Sequence, residues 1–207
     1  MLSGKYLELY NALKKSIPEK NLIHDTLRTL TYGTDASFYR LTPELVIRAE
    51  TEDEVRTVLQ NCHRLRLPVT VRAAGASLSG QAVTDSVLLL LGPEWNRVEV
   101  LGEGAEIAMQ TGVVGARANL YLAPYHKKLG PDPASINSAK IGGIVANNAS
   151  GMTSGIRANS YYSLTGSRLI FNDGTLLDTR DPESRKSFMA KKPELVSAVR
   201  DAVQDGP

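Results

Sequence analysis

The 207-residue chain is poor in cysteine and histidine, with one cysteine, Cys62, and three histidines. A single cysteine excludes an internal disulfide and fits a reducing compartment, so we expect a cytoplasmic protein. The histidines His24, His63 and His126 have no second histidine or cysteine at a spacing that suits a metal ligand set. We therefore expect no metal site.

The chain also lacks an excess of charge of one sign and lacks long apolar runs. Its net charge of +2 comes from 24 basic and 22 acidic residues without a basic stripe, so we expect no nucleic-acid partner. No segment approaches the roughly 18 apolar residues that cross a bilayer, and the N-terminus lacks the layout of a signal peptide. We expect a globular protein without a transmembrane segment.

Two glycine-rich stretches are the most informative feature that is present. The first glycine stretch is RAAGASLSG (72–80), and the second glycine stretch is IGGIVANNASG (141–151). Small residues of this kind let a backbone approach a ligand and tolerate positive φ. Successive backbone N–H groups in turns bind anions, and the hydroxyls of Ser77, Ser79 and Ser150 are possible further donors. These stretches predict a phosphate-bearing ligand, and a diphosphate suits them best.

The alternative is that both stretches are ordinary turns, which is the usual meaning of one glycine and serine cluster alone. Two clusters together, with GPDPAS (130–135) shortly before the second, favour a ligand instead. Neither stretch contains GxxxxGK[ST], and neither contains GxGxxG between a strand and a helix. The pattern therefore argues against a P-loop NTPase and against a Rossmann domain.

The first half of the chain predicts a helical appendage followed by a small parallel unit. Apolar residues at helical spacing predict a helix over 2–13 and a second helical piece over 22–30, and we assign residues 1–40 to the appendage. Strands are predicted at 45–48, 68–72 and 87–91, and Thr51 with Glu54 forms a capping box that starts a helix after the first of them. This βαβ unit should have a right-handed crossover.

The second half predicts mixed or antiparallel pairing. Short strands are expected at 98–101 and 106–111, and a helix over 116–129 that Pro124 must kink or divide. A hairpin of 168–172 and 175–179 is expected to turn at Asp173-Gly174, and a last helix should start near Pro193. We divide residues 41–207 into subdomains 43–92 and 93–180 and a C-terminal helix 193–204. The fold class is α+β.

Four motifs carry a resemblance to a known family. They are PVTVRAAGASLSGQA (68–82), LGPDPAS (129–135), KIGGIVANNASGM (140–152) and FNDGTLLDT (171–179). In this order they resemble the FAD-binding domain of the vanillyl-alcohol oxidase and p-cresol methylhydroxylase superfamily. Within it, the chain is most similar to FAD-linked D-2-hydroxyacid dehydrogenases such as D-lactate dehydrogenase and the glycolate oxidase flavoprotein subunit. The resemblance covers residues 35–178.

The resemblance implies that FAD lies in a groove between two α/β subdomains of the p-cresol methylhydroxylase type. It implies that residues 74–79 wrap the pyrophosphate and that the proline-rich segment and second stretch approach the ribityl chain and flavin. The implied cofactor-binding residues are Ala74, Gly75, Ala76, Ser77, Leu78, Ser79, Pro131, Asp132, Pro133, Ser135, Gly142, Gly143, Asn147, Ser150 and Gly151. Some relatives attach flavin to a histidine directly after the first-loop glycine, where this chain has Ala76. We therefore expect non-covalent FAD.

The family normally continues with another glycine-rich FAD segment, a substrate-binding cap and C-terminal catalytic residues, which this sequence lacks. We therefore expect an incomplete N-terminal fragment of a longer enzyme, with no catalytic residue to name. In that enzyme a D-2-hydroxyacid of the lactate or glycolate type would give a hydride to flavin. The flavin would then pass electrons to a quinone, cytochrome or iron–sulfur module.

Two other interpretations stay open at this point. The chain could be a truncated, catalytically inactive binding module that keeps the fold without the reaction. It could also be the FAD domain of a different superfamily member, such as a sugar-alcohol oxidase, a cell-wall precursor reductase or the flavin domain of a molybdenum hydroxylase. The pairing of GPDPAS with NNASG (147–151) favours the hydroxyacid branch.

Overall fold

The computed structural model describes residues 2–204, which form eight α-helices and three small sheets. The helices are α1 Gly4–Leu13, α2 Thr26–Thr31, α3 Glu52–Leu65, α4 Gly115–Leu122, α5 Ile141–Ala146, α6 Ser160–Ser163, α7 Pro182–Lys191 and α8 Pro193–Gln204. The strands are β1 Leu22–Ile23, β2 Leu45–Ala49, β3 Val69–Arg72, β4 Val87–Leu91, β5 Val98–Leu101, β6 Glu106–Met109, β7 Arg168–Ile170 and β8 Leu176–Asp178. None of the helices within this part of the chain has the length and apolar character that a bilayer crossing requires.

The first sheet has the strand order β1-β2-β4-β3, in which β2, β4 and β3 are parallel. The three strands predicted for this region are confirmed, and β4 lies in the centre as its continuous apolar run predicts. Leu45, Ile47 and Leu89 are fully buried against helix α3 on one face of the sheet, while Val46 and Leu88 are buried on the other. Burial on both faces explains why β4 is apolar throughout and why β2 is apolar except at Arg48.

Helix α3 begins where the capping box predicts. The side chain of Thr51 accepts a hydrogen bond from the backbone N–H of Glu54, and Glu54 accepts one from the backbone N–H of Glu50. This reciprocal pairing satisfies N–H groups at the helix start that would otherwise lack partners. Cys62 faces the core at 1% exposure, and burial raises the pKa of its thiol to about 12. Its predicted place in the core is confirmed.

The N-terminal residues share this core. Leu9, Leu13 and Ile17 are buried in the same cluster as Val58 and Cys62, because α1 packs against α3. Whether residues 1–40 form a separable unit stays a prediction.

The predicted helical piece over 22–30 is wrong in its first part. Leu22 and Ile23 form strand β1, which pairs antiparallel with β2, and Leu22 lies opposite Ile47. Both residues are buried, one on each face of the sheet, as adjacent strand residues are. The helix begins only at Thr26, because Asp25 caps it by accepting the N–H of Arg28.

The second half contains the antiparallel pair β5 and β6, as predicted. Strand β6 ends at Met109, two residues before the predicted end at 111. The predicted helix over 116–129 is too long: α4 ends at Leu122, and Pro124 lies in a one-turn 3-10 helix that follows. His126 then takes a left-handed φ of 54°, which stops the helix. Pro124 thus divides the segment rather than bending it.

The hairpin of β7 and β8 is confirmed, with Asp173 and Gly174 in its turn. Gly174 has φ 79°, which few side chains tolerate, and the N–H of Thr175 donates to the Asp173 carboxylate. Both strands are shorter than predicted, because β7 ends at Ile170 and β8 begins at Leu176. Helix α8 starts at Pro193 as predicted.

Candidate functional site

The two glycine stretches line opposite parts of one cleft, with a volume of about 320 Å³. This is at the lower end of the range for ligand pockets. Predicted site residues and residues that sequence reasoning missed both line it. The predicted residues that line it are Ala74, Gly75, Ala76, Ser77, Pro133, Ser135, Gly143 and Asn147. The missed ones are Val71, Ala73, Gln81, Ala82, Ala139, Lys140, Ile144, Ala146 and Ala149.

The first glycine stretch is a true loop whose backbone donors are free. It begins where β3 ends at Arg72, and Gly75 takes φ 71°, a conformation that favours glycine. Within residues 2–204, the backbone N–H groups of residues 74–78 have no hydrogen-bond acceptor. Consecutive unpaired amides are the donor set that binds a phosphate or another anion. The loop therefore supplies what the sequence predicts for an anionic ligand.

The sequence predicts that the Ser77 hydroxyl is a possible donor to a ligand, and the structure uses this hydroxyl differently. Its Oγ accepts hydrogen bonds from the N–H groups of Ser79 and Gln81, and it donates to Oε1 of Gln81 at 3.1 Å. The hydroxyl proton is therefore already used within the loop. Ser77 shapes the turn, as short polar side chains commonly do, and the free donors of this loop are backbone groups instead.

The second glycine stretch is not the loop that the sequence predicts. Its first six residues form the short helix α5, because Ile141 and Ile144 lie one turn apart and both are buried. Gly143 faces the cleft: a Cβ added there would lie 3.3 Å from the Cβ of Ala73, in β3's continuation. Gly142 lies outside the cleft instead, and its N–H donates to the carbonyl of Thr111.

Four of the predicted residues form a clamp behind the cleft. The clamp consists of Pro131, Asp132, Ser150 and Gly151, which lie outside the cleft lining. The N–H of Asp132 donates to the carbonyl of Ser150 at 2.8 Å, and Asp132 bridges to Gly151 in parallel. A Cβ on Gly151 would collide with Asp132, and its φ of 147° also requires glycine. The clamp thus joins the proline-rich segment to the end of the second stretch.

Leu78 and Ser79 also lie outside the cleft lining, although the resemblance places them in the site. The side chain of Leu78 is 75% exposed. Its backbone N–H still belongs to the run of unpaired donors, so the backbone and the side chain at this position differ in what they can contribute.

The charge of the cleft suits an anion. Lys140 is the only charged residue among its described lining residues, and no aspartate or glutamate lines it. Lys140 precedes Ile141 directly, so its place beside the second stretch was a signal available in the sequence. Many of the other lining residues are alanine, which leaves space for a broad, flat ligand to contact backbone. The cleft is therefore suited to binding, and it identifies no catalytic residue.

Comparison with known proteins covers the part of the chain that contains the cleft. A family model described as "FAD binding domain" matches residues 43–180. Glycolate oxidase subunit GlcD of Escherichia coli is 34% identical over 144 residues, which is 68% of this chain and 29% of that protein. D-2-hydroxyglutarate dehydrogenase of Escherichia coli is 28% identical over 155 residues, which is 73% of this chain and 15% of that protein. The chain thus spans less than a third of the length of these relatives.

Solved structures share the fold. Alkyldihydroxyacetonephosphate synthase has a TM-score of 0.72 at 21% identity and covers 84% of this chain and 36% of its own. p-Cresol methylhydroxylase with bound substrate has a TM-score of 0.71 at 14% identity, covering 86% of this chain and 36% of its own. At these identities the likeness concerns the fold, and it confirms the predicted p-cresol methylhydroxylase type.

Proposed function

The chain belongs to the FAD binding domain family, and from this we propose that its cleft holds FAD. One observation carries the proposal: residues 74–78 have consecutive unpaired N–H groups within the described chain, and residues 74–77 line a cleft that has no acidic side chain among its described lining residues. FAD carries a diphosphate, and free backbone amides at close range can offset its negative charge. Lys140 would add a positive charge on the opposite wall.

The residues present fit this cofactor. The φ of 71° at Gly75 keeps the loop backbone open toward a ligand, and no side chain longer than that of Ser77 stands on residues 73–77. On the other wall we propose that Pro133, Ser135, Gly143 and Asn147 border the flavin end. When bound, FAD supplies the two-electron chemistry, while this chain positions it and limits access of water.

We propose that the cofactor is bound without a covalent link. Ala76 occupies the loop position that directly follows Gly75 and lines the cleft, and its methyl group has no nucleophile. Cys62 cannot serve instead, because it is buried in the separate core beneath the first sheet and burial raises the pKa of its thiol. Flavin should therefore leave the protein on denaturation.

For the longer protein of which this chain would be a part, we propose an FAD-dependent oxidoreductase that oxidises a D-2-hydroxyacid. The support is the names of the relatives: a glycolate oxidase subunit, D-2-hydroxyglutarate dehydrogenases and a D-lactate dehydrogenase [cytochrome] of Kluyveromyces lactis. The electron acceptor would be a quinone, cytochrome or iron–sulfur module. A cytoplasmic location is part of the proposal, because a lone buried Cys62 suits a reducing compartment.

Titration of the purified 207-residue chain with FAD tests the binding proposal. We expect saturable quenching of flavin fluorescence and full release of the flavin on heating in denaturant. A folded chain that takes up no FAD would contradict the proposal and favour an inactive binding module. Flavin that stays attached after denaturation would contradict only the non-covalent part.

Turnover by the longer protein tests the substrate class. D-lactate, glycolate and D-2-hydroxyglutarate would be compared with an artificial electron acceptor, and we expect reduction with at least one of them. Activity only with a sugar or a sugar alcohol would favour a different branch of the superfamily. The binding proposal would survive that result, because it rests on the cleft of this chain.

A further inference from the structure

The first glycine stretch and the residues directly after it, here called the first loop, are attached at three points to residues 32–37. Those residues precede the region matched by the family model. At the start of the loop, Nη1 of Arg72 donates to the carbonyls of Tyr32 and Thr34, at 3.1 and 2.8 Å. In the middle, the N–H of Ala36 donates to the carbonyl of Gly75 at 3.0 Å. At the end, the N–H of Ala82 donates to the carboxylate of Asp35 at 3.3 Å. We name residues 32–37 the brace segment.

Arg72 joins the brace segment to the bend itself. A Cβ added at Gly75 would meet the guanidinium of Arg72 at 2.7 Å from its Cζ, so the guanidinium fills the space under the bend. The same group bonds two carbonyls of the brace segment. It therefore fixes both the bend and the segment that supports it.

Asp35 uses both carboxylate oxygens for this structure. Oδ1 accepts hydrogen bonds from the backbone N–H and the hydroxyl of Ser37, and Oδ2 accepts the one from Ala82. Burial raises the pKa of Asp35, but these hydrogen bonds and the charge of Arg72 outweigh it and lower the pKa overall. The carboxylate is thus held ionised between the brace segment and the end of the loop.

We propose that the brace segment is a working part of the cofactor site, with Asp35 and Arg72 as positioning residues for the unpaired amides of residues 74–78. The amides of residues 74–78 make no hydrogen bonds within the described chain. Ordering such a segment around a ligand costs conformational entropy. The three attachments order the loop before the ligand arrives, so that ligand binding no longer carries this entropy cost. This is the advantage of preorganisation. The effect on affinity rests on the proposed function, while the effect on the loop does not.

Asp35→Asn tests the proposal in the full 207-residue chain. Asparagine keeps one acceptor oxygen, so it cannot accept from both Ser37 and Ala82. Without ligand, we expect the backbone order parameters of residues 74–78 to fall from the rigid range near ~0.85 toward values below ~0.6. With FAD, we expect affinity to fall about tenfold, the usual effect of losing one charged hydrogen bond.

Asp25→Ala is the matched control. Asp25 is also a carboxylate of the N-terminal residues that accepts a backbone N–H, but it caps helix α2 and does not contact the loop. We expect it to lower the melting temperature while both the order parameters and FAD affinity stay at wild-type values. A role of Asp35 in stability alone would make the two variants alike.

The outcomes separate this inference from the proposed function. A folded Asp35→Asn variant with unchanged order parameters and unchanged FAD affinity would overturn the proposed role of the brace segment. Lower order parameters for residues 74–78 in Asp35→Asn, together with no FAD binding by either the wild type or the variant, would support the role of the brace segment and contradict the proposed function. Should Asp35→Asn not fold, Arg72→Lys asks the same question, because lysine keeps the charge but lacks the planar fork.

Discussion

The two glycine stretches look alike in sequence and differ in structure. The first is a loop in which residues 74–78 leave their N–H groups free. In the second, the N–H groups of Ile141 and Gly142 donate to the carbonyls of Val113 and Thr111, and most of those that follow donate within helix α5 and its C-terminal turn. In the first, Gly75 is needed for its backbone angle, and in the second, Gly143 is needed for space across the cleft. Small residues thus expose backbone N–H donors on one wall of the cleft and leave space for a ligand on the other.

The largest effect should come from a larger side chain at Gly143, which would fill the space between the two walls of the cleft. Gly143→Val would place a Cβ 3.3 Å from the Cβ of Ala73 and two methyl groups beyond it, without the strain of a positive φ. We expect FAD affinity to fall at least about 100-fold, since a blocked cleft loses more than a single contact, with little change in the free energy of unfolding. Fluorescence titration and urea unfolding measure the two quantities.

Cys62→Ser is the control for this prediction. It introduces a hydroxyl into an apolar core, so it should lower stability by about 1–2 kcal/mol and leave the affinity for FAD unchanged. Normal FAD binding by Gly143→Val would show that the second wall does not border the cofactor. The comparison between the two stretches would then fail.

The next effect separates neighbouring glycines within the second stretch. A Cβ on Gly142 would lie 2.9 Å from the Cβ of Thr111 and 3.3 Å from its carbonyl oxygen. We expect Gly142→Val to lower the free energy of unfolding by about 2 kcal/mol through overpacking. FAD affinity of the folded protein should stay within about twofold, because this glycine lies outside the cleft.

Urea unfolding with and without FAD checks this result. Lost binding at unchanged stability would contradict the packing role and return Gly142 to the cofactor site that the resemblance implies. Retained binding would confirm that adjacent glycines in one motif serve different purposes.

The smallest effect concerns the clamp and depends on pH. The hydroxyl of Thr153 donates to the carboxylate of Asp132 and lowers its pKa, burial opposes this, and the ammonium of Lys128 lowers it further. A depressed pKa stabilises the fold above the unfolded value near ~3.9, and this stability is lost as pH falls through the folded value. Thr153→Val should therefore lower the melting temperature at pH 7, and the difference should shrink below about pH 4.

Thr57→Val is the matched control, because the hydroxyl of Thr57 donates to the backbone carbonyl of Asp53, which does not titrate. Its effect on the melting temperature should not change with pH. A Thr153→Val effect of constant size between pH 7 and pH 2 would show that the hydroxyl acts independently of the charge of Asp132.

Local signals predicted much of the fold. The capping box at Thr51 and Glu54, the apolar run of β4 and the turn at Asp173 and Gly174 depend on neighbours in sequence, and the structure contains all three. The prediction was wrong at Leu22 and Ile23, because their strand exists only through pairing with β2. It was also wrong for α5, where the buried partners of Ile141 and Ile144 outweigh the low helix propensity of two glycines.

The candidate site divides in the same way. By itself the sequence determined that this chain has two segments of small residues able to admit a ligand to the backbone, since that follows from side-chain size alone. Only the tertiary structure decided that both border one cleft, that Lys140 and not an acid faces it, and that Asp35 and Arg72 hold the first loop. Those facts depend on contacts between residues far apart in the chain, which pattern and propensity do not encode.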